Sequence, residues 1–155
     1  MTYILSVDPG LISGVSLLEW SDNQDDLPKN IFSSEVDPDG FAEAVEAAFV
    51  SWKSYNRFYV VCERFVITAQ TVRNSQAPYS LEQIGVIKHL CRINGYNPGE
   101  ISMQAPVDAK SMFPNDALKK IGVWHKGGEG HANDSIRHSL LKLTKIGWKP
   151  RILLE

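Results

Sequence analysis

The sequence predicts a mixed α/β fold: a five-stranded sheet, with a three-strand antiparallel meander and two strands added by crossovers, flanked by helices. Three observations predict it. Two short apolar runs, at 3–8 and 14–20, are joined through Pro9-Gly10 and followed by a third extended segment at 30–35; strands this close in sequence pair antiparallel. From residue 37 onward the pattern is helix, strand, helix, strand, helices, and strands separated by a helix are joined by crossovers. The run Phe58-Tyr59-Val60-Val61-Cys62 is continuously apolar, as expected of a central strand covered on both faces.

The elements follow in order. The polar loop 21–28 separates the second strand from the third. Asp37-Pro38-Asp39-Gly40 reads as a helix start, with an acidic cap and proline in the first turn. Phe41, Val45, Ala48, Phe49 and Trp52 then fall on one helical face. The apolar strand 58–62 ends in Glu63, and a polar segment, 68–76, leads to a helix over 78–94 with Leu81, Ile84, Ile87 and Cys91 at helical spacing. Gly95-Tyr96-Asn97-Pro98-Gly99 is a turn, 101–104 a short strand, and 106–121 is partly helical. The glycine-rich stretch 127–130 opens the last helix, 131–145. With no internal repeat, residues 1–155 read as one domain.

Composition sets the outer limits. At 43% hydrophobic and 22% charged residues the chain has the balance of a soluble globular protein, and a length of 155 residues suffices for one buried core. No apolar stretch approaches the roughly 20 residues a membrane span needs, and the N-terminus carries no signal-peptide pattern. Cys62 and Cys91 both sit in apolar segments, which fits reduced thiols in a cytoplasmic protein better than a disulfide; no Cys-x-x-Cys or close Cys/His pair suggests zinc. The charge is uneven. Residues 1–55 hold ten acids and two bases, 56–104 three and five, and 105–155 five and nine. A basic C-terminal half suits a polyanion; the plainer alternative is a solvated acidic loop (Asp22, Asp25, Asp26) beside an ordinary basic tail.

The acids carry the chemistry. Asp8 ends a buried apolar strand, where a carboxylate is costly unless a metal, a cation or hydrogen bonds compensate it. The alternative is an aspartate that merely starts the Pro-Gly turn. Glu63 repeats the pattern at the end of the most apolar strand. In His131-Ala132-Asn133-Asp134-Ser135-Ile136-Arg137-His138, the residues His131, Asp134 and His138 fall within about 60° on a helical wheel. Asp134 also sits in the first turn, where the helix dipole favours an anion; a capping acid flanked by surface histidines is the alternative. Two acidic strand ends with a carboxylate and an imidazole one turn apart supply the ligands of a two-metal phosphodiester-cleaving site, for Mg²⁺ or, given the imidazole, Mn²⁺.

In that order and spacing, Val7-Asp8-Pro9-Gly10-Leu11, Val60-Val61-Cys62-Glu63 and His131-Ala132-Asn133-Asp134 resemble the motifs of RuvC-type Holliday junction resolvases. These have the RNase H-like fold, and the chain resembles more specifically the compact members that bacteriophages encode. Gly85 in its helix and Pro106-Val107-Asp108-Ala109-Lys110 resemble the family's dimer helix and its proline-to-lysine segment. The resemblance implies a divalent-metal-dependent endonuclease acting on branched DNA, above all four-way junctions. It implies a homodimer through the helix 78–94, working in the cytoplasm (that of the host cell for a phage protein). It implies that Asp8, Glu63, His131 and Asp134 hold the metals, His131 standing where many members have an aspartate. Lys110 then lies near the scissile phosphate, with Lys119 or Lys120 as a second basic group. Phe65, two residues after Glu63, is the candidate aromatic for the junction centre. Arg64, Arg73, Lys126 and Arg137 are further candidate DNA contacts, each with solvated surface as its plain alternative. His138 reads as a surface residue or one behind the site, and His89 as an interface residue. The four tryptophans read as core or surface cover; Trp124, just before the proposed site, remains open as a base-stacking platform.

The same residues admit other readings. Asp8-Pro9-Gly10 also fits the phosphate loop of actin-like kinases, which need a duplicated fold, and the sequence has no repeat. A fork or flap endonuclease, a ribonuclease H acting on RNA–DNA hybrids, and a nucleic-acid-binding module without catalysis are the alternatives.

Overall fold

The computed structural model describes residues 1–52, 57–65, 68–70 and 77–155, the side chains of 51, 52 and 77 excepted. Its sheet runs β3-β2-β1-β4-β5, built from β1 (Thr2–Asp8), β2 (Ser13–Trp20), β3 (Lys29–Val36), β4 (Arg57–Glu63) and β5 (Ser102–Gln104). The first three strands pair antiparallel as a meander, while β4 joins β1, and β5 joins β4, in parallel. The helices are α1 (Pro38–Trp52), α2 (Ala77–Ile93), α3 (Pro106–Met112), α4 (Asn115–Ile121) and α5 (His131–Lys145). The expected meander, crossovers and flanking helices are all present. No helix among the described residues is long and apolar enough to cross a membrane.

Strand alternation divides the core in two. Leu5, Val7, Val15, Leu17, Val60 and Cys62 pack with Phe41, Val45 and Phe49 of α1 and with Ile87, Leu90 and Cys91 of α2. Ile4, Leu18, Trp20 and Val61 face the other way, against α3, α4 and α5 through Ala109, Phe113, Leu118, Ile136, Leu140 and Leu143. β1 and β4 are thus buried on both faces, as their unbroken hydrophobicity requires. Since side chains alternate, Ile4 and Val61 put Ser6, Asp8 and Glu63 on the α5 side. Ser6 confirms this parity: its hydroxyl meets that of Ser139 on α5 at 2.6 Å.

Local chemistry explains most boundaries. Asp37 caps α1, its carboxylate accepting the Gly40 N–H at 2.9 Å, and Pro38 opens the helix. The segment 106–121 splits into α3 and α4 at Phe113-Pro114, since a proline disfavours helical backbone in the residue before it. Both cysteines are buried free thiols. Trp20 and Trp148 are core residues, and Trp124 packs half-buried beside them. Trp52's side chain lies outside the described residues. The acidic loop is not wholly solvated: Asp22 takes the N-terminal amine at 2.8 Å and Arg57 at 3.1 Å.

The apolar stripe expected on α2 divides. Ile87 and Cys91 are buried against α1 and the sheet, whereas Leu81 is 47% exposed. The helix uses most of the stripe for its own core. Its open face is instead Leu81, Gly85, Lys88, His89 and Arg92, where His89 is exposed.

Candidate functional site

One row of the sheet holds the site. Glu35 on β3 pairs with Gly14 on β2, and Gly14 pairs with Asp8 at the end of β1. One step beyond the Val7–Cys62 pair stands Glu63 at the end of β4, which pairs with Gln104 on β5. Four of these five residues are polar, and α5 begins directly over the fifth. A Cβ on Gly14 would lie 1.8 Å from the His131 carbonyl oxygen, so only glycine lets the helix start this close to the sheet. That approach brings His131 Nδ1 within 3.3 Å of Asp8 Oδ2.

The start of α5 has no cap of its own: Gly130, at φ 100°, has no side chain. Glu35 serves from across the sheet, its carboxylate accepting backbone N–H groups of Glu129 (2.9 Å), His131 (2.8 Å) and Ala132 (3.4 Å). Burial pushes the Glu35 carboxyl up, but the three donors together outweigh it and hold the pKa below its ordinary value. The Asn133 side chain ties the preceding loop down, its Oδ1 accepting the His125 N–H and its Nδ2 donating to the His125 carbonyl, and Ser33 Oγ meets His125 Nδ1 at 2.7 Å.

Asp8 is only 8% exposed. Burial raises its pKa from 3.8 to about 6; the hydrogen bond from His131 opposes this, and repulsion by Glu63 and Asp134 adds to it. The bond to Asp8 in turn raises the His131 pKa above 6.5, against the opposing effect of burial. Asp8 is therefore a carboxylate whose ionised form lacks enough positive charge around it.

Each remaining acid has a protein partner. Glu63 Oε2 accepts from His138 Nε2 at 3.0 Å, and the other ring nitrogen of this buried histidine lies 2.7 Å from Gln104 Oε1. Asp134 Oδ1 accepts from Arg137 Nη1 at 2.7 Å, with Lys110 Nζ 3.8 Å from its other oxygen. A cleft of about 720 Å³ opens beside Asp134, bounded by Lys110, Asn115, Trp124, Asn133 and Arg137.

Two surface readings are corrected. Arg137 does not lie on solvated surface: it is 7% exposed, with Nε donating to the Phe113 carbonyl at 2.7 Å and Nη2 to Asn115 Oδ1. α3 and α4 cover that side of α5, so the guanidinium braces Asp134. Of the two readings of His138, surface or behind the site, burial leaves the second, with the ring against Glu63 on β4 and Gln104 on β5. The other basic candidates are spread out. Lys110 and Lys126 are exposed, one at the cleft and the other on the glycine-rich loop. Lys119 Nζ stands 4.8 Å over the Trp124 ring at the cleft edge, while Lys120 Nζ donates to the Glu155 carbonyl. Arg64 is exposed and Phe65 half-buried just past Glu63; Arg73 lies outside the described residues. Glu35, Gly14 and Gln104 were not singled out from sequence.

The donor set of Asp8, Glu63, His131 and Asp134 suits an oxygen-preferring divalent cation in chemistry. Among the described residues, no three His, Cys, Asp or Glu side chains are arranged to hold a metal ion in the conformations present. Their carboxylates face protein partners instead. The under-compensated charge of Asp8 is the observation that fits a cation, which would supply what His131 alone does not.

The fold is that of solved Holliday junction resolvases. RuvC of Thermus thermophilus in complex with a Holliday junction substrate matches with a TM-score of 0.71 at 12% identity, over 95% of this chain and 97% of that one. The Thermus thermophilus RuvC structure gives 0.69 at 12% identity, over 94% and 96%. The fowlpox virus Holliday junction resolvase gives 0.54 at 15% identity, over 92% and 99%. Identities this low establish the shared RuvC-type, RNase H-like fold. No protein-family model and no curated protein sequence matches the chain.

Proposed function

We propose that this protein is a divalent-metal-dependent DNA endonuclease that resolves four-way junctions as a homodimer. One observation carries the reading: on a RuvC-type fold, Asp8 and Glu63 end adjacent strands beneath the helix that bears His131 and Asp134. The reading makes Asp8, Glu63, Asp134 and His131 the residues that hold Mg²⁺ or Mn²⁺. Bound there, the cations supply positive charge at the scissile phosphate and raise the acidity of water.

The chain's own residues do the rest. Asp8 orients His131 through Nδ1, and Nε2, whose nearest acid among the described residues is the exposed Glu129 carboxylate at 3.8 Å, serves one of two roles: it ligates the cation, or it takes a proton from the attacking water. Arg137 keeps Asp134 in one rotamer. Lys110, at the cleft mouth, binds the phosphate and offsets charge that develops on it; Lys119 serves as the second basic group, since Lys120 is turned to the C-terminus. Arg64, Phe65 and Lys126 lie around the same end of the sheet and contact the flanking strands. Such contacts read shape rather than sequence.

The dimer reading rests on the open face of α2. Leu81, Gly85 and Lys88 follow one another at helical spacing on it, and a Cβ at Gly85 would meet nothing within 4 Å, which leaves room for a second helix. A monomer by sedimentation at micromolar concentration, with full junction cleavage, would rule it out. Function is tested by incubating the protein with a four-way junction, a fork, a flap and an RNA–DNA hybrid, each with Mg²⁺ and with Mn²⁺. The reading predicts fastest cleavage of the four-way junction and none in a chelator. Preferential cutting of the hybrid would reassign the protein as a ribonuclease H, and metal-dependent cleavage of nothing would leave a binding module.

A further inference from the structure

We propose that His138 is a positioning residue which, braced by Gln104, holds the carboxylate of Glu63 for the cation; the inference rests on the reading of Glu63 as a metal-holding residue. The three side chains come from three elements, β5, α5 and β4; the first two are closed off from solvent, and the Glu63 side chain is 20% exposed at the strand end. His138 is 1% exposed and Gln104 3% exposed. His138 Nε2 lies 3.0 Å from Glu63 Oε2, and its Nδ1 lies 2.7 Å from Gln104 Oε1.

Packing does not require these residue types. The core on this side of the sheet, which holds Val61 one alternation before Glu63, is built from aliphatic and aromatic side chains and makes no use of an imidazole or an amide. Placing an imidazole and an amide there removes polar groups from water, which is costly unless each is paired. A neutral imidazole that donates from Nε2 to Glu63 accepts at Nδ1, so the Gln104 amide completes the pairing by presenting Nε2, which has no other partner among the described residues. A buried polar network that ends on one acid indicates a role in orienting Glu63.

Glu63 is also the acid that most needs holding. A glutamate has one more rotatable bond than an aspartate, and this one ends its strand. A ring N–H at Oε2 fixes the carboxylate plane and leaves Oε1 for a cation. Partners behind a metal ligand work in this way, and losing one costs about 10- to 100-fold in metal affinity or activity.

The test is Mn²⁺ binding by the DNA-free protein, measured calorimetrically, with thermal unfolding in chelator as the control for folding. His138→Leu should weaken Mn²⁺ binding by about 10- to 100-fold, and His138→Gln, which keeps a donor, should recover most of it. Gln104→Leu/His138→Leu removes both polar partners together, the kind of exchange that leaves stability nearly unchanged; it should bind Mn²⁺ as poorly as His138→Leu. It carries the test if the single variant fails to fold. In a Glu63→Gln background, His138→Leu should have no further effect. Wild-type Mn²⁺ affinity in the folded leucine variants, with Glu63→Gln weakened, would overturn the positioning role and leave Glu63 a ligand. An equal loss from His138→Leu with and without Glu63 would mark a purely structural histidine and also overturn the role. Unchanged affinity in Glu63→Gln, or no Mn²⁺ uptake by the wild type, would overturn the ligand reading and the inference with it.

Discussion

Replacing Asp8 with asparagine should stabilise the metal-free protein while abolishing cleavage. The Asp8 carboxyl titrates near 3.8 when unperturbed and is raised to about 6 in the folded protein, first by burial and then by Glu63 and Asp134. A raised folded pKa means that this group's stability contribution is complete below about 3.8 and is lost as pH rises through about 6. At about 1.4 kcal/mol per pH unit, the ionised Asp8 costs about 3 kcal/mol at neutral pH and above. Asparagine keeps the shape and cannot ionise. Urea unfolding in chelator should therefore show Asp8→Asn more stable than wild type by up to about 3 kcal/mol at about pH 8, the difference closing towards about pH 3.5. This figure is already net of the charged hydrogen bond from His131, which opposes burial without reversing it. Adding Mn²⁺ at about 100 times Kd should stabilise wild type by about 2.7 kcal/mol and the variant hardly at all. A variant equal to or less stable than wild type at about pH 8 would refute the reasoning that Asp8 is under-compensated.

Gly14→Ala places a methyl 1.8 Å from the His131 carbonyl, so α5 must shift; unfolding should show a loss of about 1–3 kcal/mol or more, with reduced cleavage. Glu35→Ala removes the cap that β3 gives α5 and should cost about 0.5–2 kcal/mol by urea unfolding, with a fall in kcat because His131 and Asp134 lose their anchor. His131 is active when neutral, and its pKa is raised by Asp8; cleavage should therefore fall as pH drops, with its acid limb above 6.5. His131→Ala should abolish that limb and lower the rate by about 10²–10⁴, whereas His131→Asp should keep activity and shift preference towards Mg²⁺. Asp134→Asn should bind junction DNA in a gel-shift assay but not cut it.

The meander with its two crossover strands and the Asp8–Glu63 neighbourhood were legible from sequence, because two-fold alternation and charge placement are local signals; the order of the strands across the sheet was not. An acid that ends an apolar strand is conspicuous without any tertiary knowledge. The His131–Asp134 turn was legible for the same reason, through the three-residue spacing on a helix. Glu35, Gly14 and Gln104 were not, although they occupy the same row of the sheet. Their significance comes from pairing across strands and from what α5 lays over that row, and nothing in β3 marks Glu35 as a cap for a helix some 96 positions later. Glu35 in a strand and a glycine opening β2 are weak signals until register connects them. The surface readings of Arg137 and His138 failed for one reason: a polar helical face reads as solvated, whereas α5 is clasped between the sheet and α3 and α4; the other reading of His138, behind the site, is where the ring lies. The α2 stripe shows the converse, since an apolar helical face serves the chain's own core before it is available to a partner.

The central claim, that the acids of this row and of α5 hold divalent cations, is tested most directly by anomalous diffraction from crystals grown with Mn²⁺. The account predicts a Mn²⁺ peak ligated by Asp8 and Asp134, with Glu63 and His131 turned towards the cations. Absence of any anomalous peak at these side chains under saturating Mn²⁺, with the Asp8–His131 and Arg137–Asp134 contacts intact, would contradict it.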